Sequence, residues 1–248
     1  MRVYSATDVG QKRKMNQDYV FVSKDPVGNL PNLFVVADGM GGHNAGDFAS
    51  SHAVQILVDE IRKDADFNPV KVIRHAIETA NAEILTRAQE EEDLRGMGTT
   101  IVVATIVGHY AYVANVGDSR LYLIQAGAIR QVTRDHSYVE EMVAMGQMRR
   151  GSVDYNSRKN IITRAMGIGR SVEPDFFEVD LEEGDYILLC SDGLSNMVDD
   201  DTICSIVTGP GSLKEKASRL IREANRQGGI DNIAVVLVNP LGREAGTC

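Results

Sequence analysis

Five aspartates carry most of the chemical information in this sequence. The runs Leu33-Phe-Val-Val-Ala-Asp38-Gly39 and Tyr186-Ile-Leu-Leu-Cys-Ser-Asp192-Gly193 share one design, an apolar strand ending in Asp-Gly. Asp18 opens another strand-like run, Asp231 stands just before the last one, and Asp118 follows Gly117 at a turn. A single Asp-Gly is ordinary turn material, because both residues suit turn dihedrals. Several acids at the ends of core strands are a different matter. If those ends converge, the carboxylates repel one another unless a cation sits among them. Oxygen-only ligands select hard divalent ions, Mn²⁺ or Mg²⁺, over zinc. A glycine beside the acid lets its backbone carbonyl approach an ion closely. Two ions about 3.5–4 Å apart can share a water, lower its pKa and aim it at phosphorus. Spacing alone does not establish that the strands converge.

Other catalytic signatures are missing from the sequence. No lysine follows a glycine, so there is no Walker A loop, and the glycines of residues 38–46 do not match G-x-G-x-x-G. No G-x-S-x-G elbow appears, and the five histidines make no HExxH pair. His52, His75 and His109 read as structural or exposed residues. His43 and His136 stand out only because each lies near a candidate loop.

The elements that must position these acids come from periodicity. Three β-like runs open the chain, at 3–7, 19–23 and 33–37. Helices follow: over 45–64, Ala49, Ala53, Leu57 and Ile61 recur every four residues, and a second helix starts from Asn68 and Pro69, an N-cap and first-turn pair. Runs at 100–107, 110–116, 120–125 and 128–132 read as four strands of an antiparallel meander, with Gly108, Gly117 and Gly127 at the turns. A weakly apolar helix over 137–145 leads into a polar stretch, 146–159, expected as a mobile surface insertion. Strands at 175–180 and 186–190, a helix near 201–207, a helix with the Ser212/Glu215 capping-box spacing and a strand at 233–238 complete the chain. This order lacks strict βα alternation, which favours α+β with antiparallel sheets. No repeat, linker or low-complexity segment divides it, so one domain over 1–240 is expected, with a short tail at 241–248.

Composition narrows the function classes. The 248 residues carry 26 Lys+Arg against 35 Asp+Glu, a formal charge of −9. That balance runs against nucleic acid as a partner, which calls for a basic face. No apolar run approaches the roughly 18–20 residues of a membrane span, and the N-terminus lacks a secretory apolar core. Cys190, Cys204 and Cys248 show neither metal nor redox spacing. The expectation is a reduced, cytoplasmic protein that does not engage a membrane.

Taken together, the motifs resemble a known family. Thr7-Asp8-Val9-Gly10-x-x-Arg13-x-x-Asn16-Gln17-Asp18 and Val36-Ala37-Asp38-Gly39-Met40-Gly41-Gly42-His43 are similar to the opening of the metal-dependent serine/threonine protein phosphatases of type 2C. So are Gly98-Thr99-Thr100, Ala114-Asn115-Val116-Gly117-Asp118-Ser119-Arg120, Leu189-Cys190-Ser191-Asp192-Gly193-Leu194 and Asp231-Asn232-Ile233, in order over essentially residues 1–240. The short form and the DGMGGH variant resemble the bacterial branch.

The resemblance implies a four-layer αββα sandwich of two antiparallel sheets flanked by helices. It also implies hydrolysis of phosphoserine and phosphothreonine in proteins by attack of a water bridging two Mn²⁺ or Mg²⁺ ions. On that reading Asp38 bridges both metals, the Gly39 carbonyl joins one of them, and Asp192 and Asp231 hold the other. Asp18 acts on the metal shell through water, Asp118 helps Asp192 hold a third, weaker metal, and Arg13 grips the substrate phosphate with its guanidinium fork. Many relatives carry Glu where this chain has Gln17, and animal relatives carry a histidine where it has Met40. Two candidates for protonating the leaving alkoxide therefore stay open, His43 and a water. Residues 137–165 match a variable flap beside the active site, whose Arg149, Arg150 and Arg158 read either as substrate contacts or as solvated surface. The expected partners are phosphorylated proteins and an opposing Ser/Thr kinase, with the enzyme a monomer.

Overall fold

Strands that bury both faces dictate the layering of this protein, a computed structural model describing residues 1–42 and 45–242. The strands are β1 (Arg2–Asp8), β2 (Asp18–Ser23) and β3 (Leu33–Met40), followed by helices α1 (Ala45–Lys63) and α2 (Pro69–Glu90). Then come β4 (Gly98–Thr99), β5 (Ile101–Val107), β6 (Tyr110–Val116), β7 (Arg120–Gln125) and β8 (Ala128–Gln131), and two short helices, α3 (Tyr138–Ala144) and α4 (Val153–Arg158). The chain closes with β9 (Asp175–Asp180), β10 (Tyr186–Cys190), α5 (Asp192–Ser195), α6 (Asp200–Thr208), α7 (Leu213–Arg226) and β11 (Ile233–Asn239).

The strands form two antiparallel sheets. One runs β1-β11-β10-β7-β8, the other β2-β3-β5-β6-β9 with β4 attached to β3. Side chains alternate between layers with period two. In β3, Phe34 and Val36 enter the core between the sheets, while Leu33, Val35 and Ala37 face α1 and α2. In β11, Val236 and Val238 enter the same inter-sheet core, while Ile233, Val235 and Leu237 face α6 and α7. Three apolar layers thus separate four layers of structure, the αββα sandwich that the family resemblance implied. Full burial of an aliphatic side chain is worth about 1.5–3 kcal/mol, so these layers dominate the stability.

The helix starts agree with their sequence signals. Asn68 Oδ1 accepts from Val70 N and Lys71 N at 3.0 and 3.2 Å, and Pro69 needs no partner at the first position. Ser212 and Glu215 close a complete capping box on α7.

Three expectations need correction. The four central strands do not form one meander: β5 pairs with β6 in one sheet and β7 with β8 in the other. The chain crosses the sandwich between β6 and β7 instead. Gly117 makes that crossing with φ +106°, where a Cβ would sit 2.6 Å from the Thr100 side chain, so a glycine that read as a hairpin turn is a sheet-to-sheet corner. Period two marks strands, but it does not say which strands are neighbours.

The polar stretch 146–159 also has more structure than expected. It carries α4, capped by Ser152, and is clipped by Glu140, whose Oε1 accepts from Arg150 Nε at 3.0 Å and from the Tyr155 hydroxyl at 2.7 Å. Polar pairing across ten to fifteen residues leaves no periodic trace in a sequence. Finally, α5 went unread, because a one-turn helix that itself begins with Asp-Gly looks like a turn.

Candidate metal centre

Both sheets end at one place. Asp18 and Asp38 are direct partners in the β2–β3 ladder, so their carboxylates leave the same face at the same end. In the other sheet, β10 runs into Ser191 and Asp192, and β11 begins just after Asp231 and Asn232. Ser191 Oγ donates to Asp18 Oδ2 at 2.6 Å and accepts from Ala234 N at 2.9 Å, which ties the two sheets together at their acidic ends.

Close backbone approach sets the remaining positions. A Cβ on Gly193 would lie 1.9 Å from the Asn232 carbonyl oxygen, so glycine there lets the loop bearing Asp192 abut the loop bearing Asp231. Gly39 is equally confined, its absent Cβ 1.9 Å from the Gly46 carbonyl, and its N–H donates to Gln17 O at 3.0 Å. The Asp38 backbone is fully engaged: its carbonyl accepts from Thr100 N and Thr99 Oγ1, both at 2.9 Å, and its N–H donates to Thr100 Oγ1 at 3.1 Å. The strand is held and the carboxylate points onward.

The loop between β1 and β2 is pinned by Asn232. Its Oδ1 accepts from Gln17 N at 2.9 Å, and its Nδ2 donates to Val9 O at 2.9 Å and Met15 O at 2.8 Å. That anchorage brings Arg13, half-exposed, to the site's edge, where Nη2 donates to Asp231 Oδ2 at 2.8 Å.

The electrostatics show an unbalanced charge. Burial pushes Asp38 well above the ordinary carboxylate range, and the charges of Asp18, Asp192, Asp118 and Asp231 push it further. Burial raises Asp18 to about 8, with Asp192 and Asp231 adding to the rise and the Ser191 hydrogen bond opposing it. Asp118 is raised to about 8, first by burial and then by Asp192 and Asp135. Asp192 is raised to about 6 by burial and Asp231, with a hydrogen bond from Asp38 holding it down. In each of these carboxyls burial and mutual repulsion penalise the ionised form unless positive charge arrives.

Three oxygens of the set, Asp18 Oδ1, Asp118 Oδ1 and Asp192 Oδ1, are buried without a hydrogen-bond partner. An orphaned buried acceptor is costly, and a divalent cation satisfies several at once. Among the described residues no three acid, imidazole or thiol side chains are drawn into a ready-made cage. The fit rests on the donor chemistry: oxygen ligands only, orphaned acceptors and an excess of negative charge all suit hard divalent ions.

Beside these acids lies a cavity of about 180 Å³, bounded by Asp118, Asp192, Arg120, Tyr155, Lys159 and Asn196. Arg120 forks onto Asp135, its Nε at 3.0 and 3.1 Å and its Nη2 at 2.7 Å, and so braces the floor. Asn196 is a residue the sequence reading missed. Its Nδ2 donates to Asp192 Oδ2 at 2.8 Å and reaches Asn160 Oδ1 at 3.4 Å, while Lys159 Nζ donates to its carbonyl at 3.4 Å. Asn196 thus links the segment after α4 to Asp192. Its place four residues after Asp192 was the available signal.

The other candidates divide. Asp18, Asp38, Gly39, Asp118, Asp192, Asp231 and Arg13 gather at this one end of the sandwich. His43 lies outside the described residues. His136 is a structural histidine: Nδ1 accepts from Gly117 N at 3.0 Å, Nε2 faces Arg164 and Asp175, and burial lowers its pKa. Arg150 is held by Glu140, and Arg158 lies over the Tyr138 ring, 5.9 Å from its centroid. Gln17 lies against Gly46 at the start of α1 and brings no charge to the acids.

Known proteins of one kind match this chain. A family model described as Protein phosphatase 2C matches residues 10–233. The chain is 44% identical over 238 residues to the serine/threonine phosphatase stp of Listeria monocytogenes serovar 1/2a, covering 94% of this chain and 93% of that one. It is 42% identical over 243 residues to the protein phosphatase PhpP of Streptococcus pneumoniae serotype 2, covering 96% and 97%. Among solved structures, the catalytic domain of the serine threonine protein phosphatase PstP in complex with two manganese ions superposes with a TM-score of 0.83 at 34% identity, covering 95% and 96%.

Proposed function

The chain belongs to the protein phosphatase 2C family and acts as a metal-dependent serine/threonine protein phosphatase, and we propose that two divalent cations at the converged acids carry the reaction. Asp38 would serve both ions, the Gly39 carbonyl would join one, and Asp192 and Asp231 would hold the other. Asp18 would act through water, and Asp118 with Asp192 would hold a third, weaker ion. The observation that carries this reading is the set of buried, mutually repelling acids with orphaned oxygens on Asp18, Asp118 and Asp192. Two Mn²⁺ or Mg²⁺ ions bound there would activate water and neutralise charge on the phosphoryl group.

The chain's own residues do the rest. Arg13 spends one donor on Asp231 and has others for phosphate oxygens, a planar fork suited to that geometry. The Ser191–Asp18 and Asn196–Asp192 hydrogen bonds fix carboxylate orientation, as supporting contacts do around metal ligands. The leaving alkoxide takes its proton from His43 or from a water. The catalytic unit spans residues 1–240, with 137–165 as a flap over one side. We place the enzyme in the cytoplasm, as a monomer opposing a Ser/Thr kinase. Among the described residues no helix is long and apolar enough to cross a membrane.

The test is phosphate release from a phosphothreonine peptide with Mn²⁺, with Mg²⁺ and with chelator, beside Asp38→Ala. Release only with metal, and none from the folded variant, is the expected result. Near-normal turnover by Asp38→Ala would refute the assignment.

A further inference from the structure

The formal charge of −9 is distributed very unevenly. The loop residues Lys12, Arg13 and Lys14 together with helix α7 hold eight cations against two acids, Glu215 and Glu223. These two segments stand at +6, which leaves −15 for all the rest. One of the eight, Lys216, is buried on Val207 O and Tyr186 and is spent inside the fold. The others face outward.

Helix α7 explains why. It buries Ala217, Leu220, Ile221 and Ala224 against the sheet, which turns Arg219, Arg222 and Arg226, three and seven residues apart, onto an outward face. These arginines border an open groove of about 790 Å³, with Gln11 at its end. Gln11 N and Lys12 N both donate to Gly229 O, at 2.7 and 3.2 Å, so the turn after α7 carries the basic loop. Two residues on, Arg13 bonds Asp231 at the candidate centre. Glu223 is occupied by Arg226 and Arg219 by the Pro210 carbonyl, but among the described residues Lys12, Lys14 and Arg222 form no ion pair.

We propose that this groove docks acidic residues flanking the phosphoresidue of the protein substrate, an inference that rests on the phosphatase reading above. Part of the −15 elsewhere lies in the buried acids of the candidate centre, and the rest is spread over the chain, so a basic track that runs to the phosphate-gripping arginine gives an acidic segment one favourable approach. Arg219 to Arg226 spans about 10 Å along the helix, the length of about three extended residues. The loop from Arg13 to Gln11 adds at most about 7 Å. Acids roughly two to five residues from the phosphothreonine therefore fall on the groove.

The test compares phosphothreonine peptides carrying three Glu or three Gln at those positions, on either side of the phosphoresidue. With the wild-type chain the acidic peptide on the docking side gains about 10-fold in kcat/KM at low salt, through KM, and loses the gain at 0.5 M salt. In Arg222→Glu/Arg226→Glu the ratio between the two peptides falls to about one or below. Because each ratio is internal to one protein sample, partial unfolding cancels. A ratio near one in the wild type, or an undiminished ratio in the variant, would overturn the proposal.

Failure to hydrolyse either peptide would sink the phosphatase reading instead. Docking is then read from fluorescence anisotropy of the labelled, unphosphorylated acidic peptide in chelator. Binding that weakens in the variant supports the groove, and no binding by the wild type overturns it. Phosphatidylglycerol vesicles that pellet the protein while acidic peptides gain nothing would likewise overturn it, assigning the groove to a lipid surface.

Discussion

Removing one of the converged acids should stabilise the metal-free protein. Asp192 is pushed up to about 6 from the ordinary 3.8, first by burial and then by Asp231. At about 1.4 kcal/mol per pH unit, keeping it ionised costs the fold roughly 3 kcal/mol. A carboxyl raised in the folded state is a full liability above its folded value, a shrinking one between there and about 4, and none below. Asp192→Asn removes the charge and keeps the shape. Its amide oxygen still accepts from Asn196 Nδ2, and its NH₂ can donate toward the neighbouring acids. In chelator at pH 7.5 the variant should melt above the wild type by about 6–12 °C, since 1 kcal/mol shifts a domain of this size by about 2–4 °C. The gap should shrink as pH falls through 6 and nearly close at pH 4. With saturating Mn²⁺ the order should reverse, because only the wild type gains the full binding energy. Differential scanning calorimetry at three pH values, with and without metal, makes the comparison. An Asp192→Asn variant that melts below the wild type in chelator at pH 7.5 would refute the reasoning.

Three further outcomes are expected. Asp18 and Asp118 are each raised to about 8 and Asp38 well above the ordinary range, so Mn²⁺ binding at pH 7 should expel protons, and more of them at pH 7 than at pH 9, read by calorimetry in buffers of different ionisation enthalpy; no proton release at pH 7 would contradict it. Gly193→Ala places a methyl 1.9 Å from the Asn232 carbonyl and should cost about 1–3 kcal/mol while weakening Mn²⁺ binding, because the loops bearing Asp192 and Asp231 must part; an unchanged melt and titration would count against the abutment. Arg13→Lys keeps the charge but loses the fork, so kcat/KM for a phosphopeptide should fall by about 10-fold in steady-state assays, and full activity would remove Arg13 from phosphate binding.

The elements were legible because their signals are local. The unbroken apolar runs of β3 and β11, the four-residue recurrence of Ala49, Ala53, Leu57 and Ile61, and the Asn68 and Ser212 caps each lie within one element, while the four-layer order came with the family resemblance. The five acids stood out by type and by their place at strand ends, and the family resemblance gave them an order. Partnership between distant elements was not legible. The hop from β6 to β7 depends on Gly117 fitting against Thr100, the clip of Glu140 on Arg150 and Tyr155 on pairing across a loop, and Asn196 on a one-turn helix no periodicity reveals. The basic groove shows the same divide: its arginines recur visibly in α7, but only the fold sets Gln11 and the Lys12–Lys14 loop at its end.

The most direct test of the centre is an anomalous-difference map from crystals of the protein soaked in Mn²⁺. Two strong peaks are expected among Asp38, Gly39, Asp192 and Asp231, with any third, weaker peak between Asp118 and Asp192. Manganese that settles elsewhere, or a map empty at these acids in a crystal that hydrolyses phosphopeptide on soaking, would contradict the assignment.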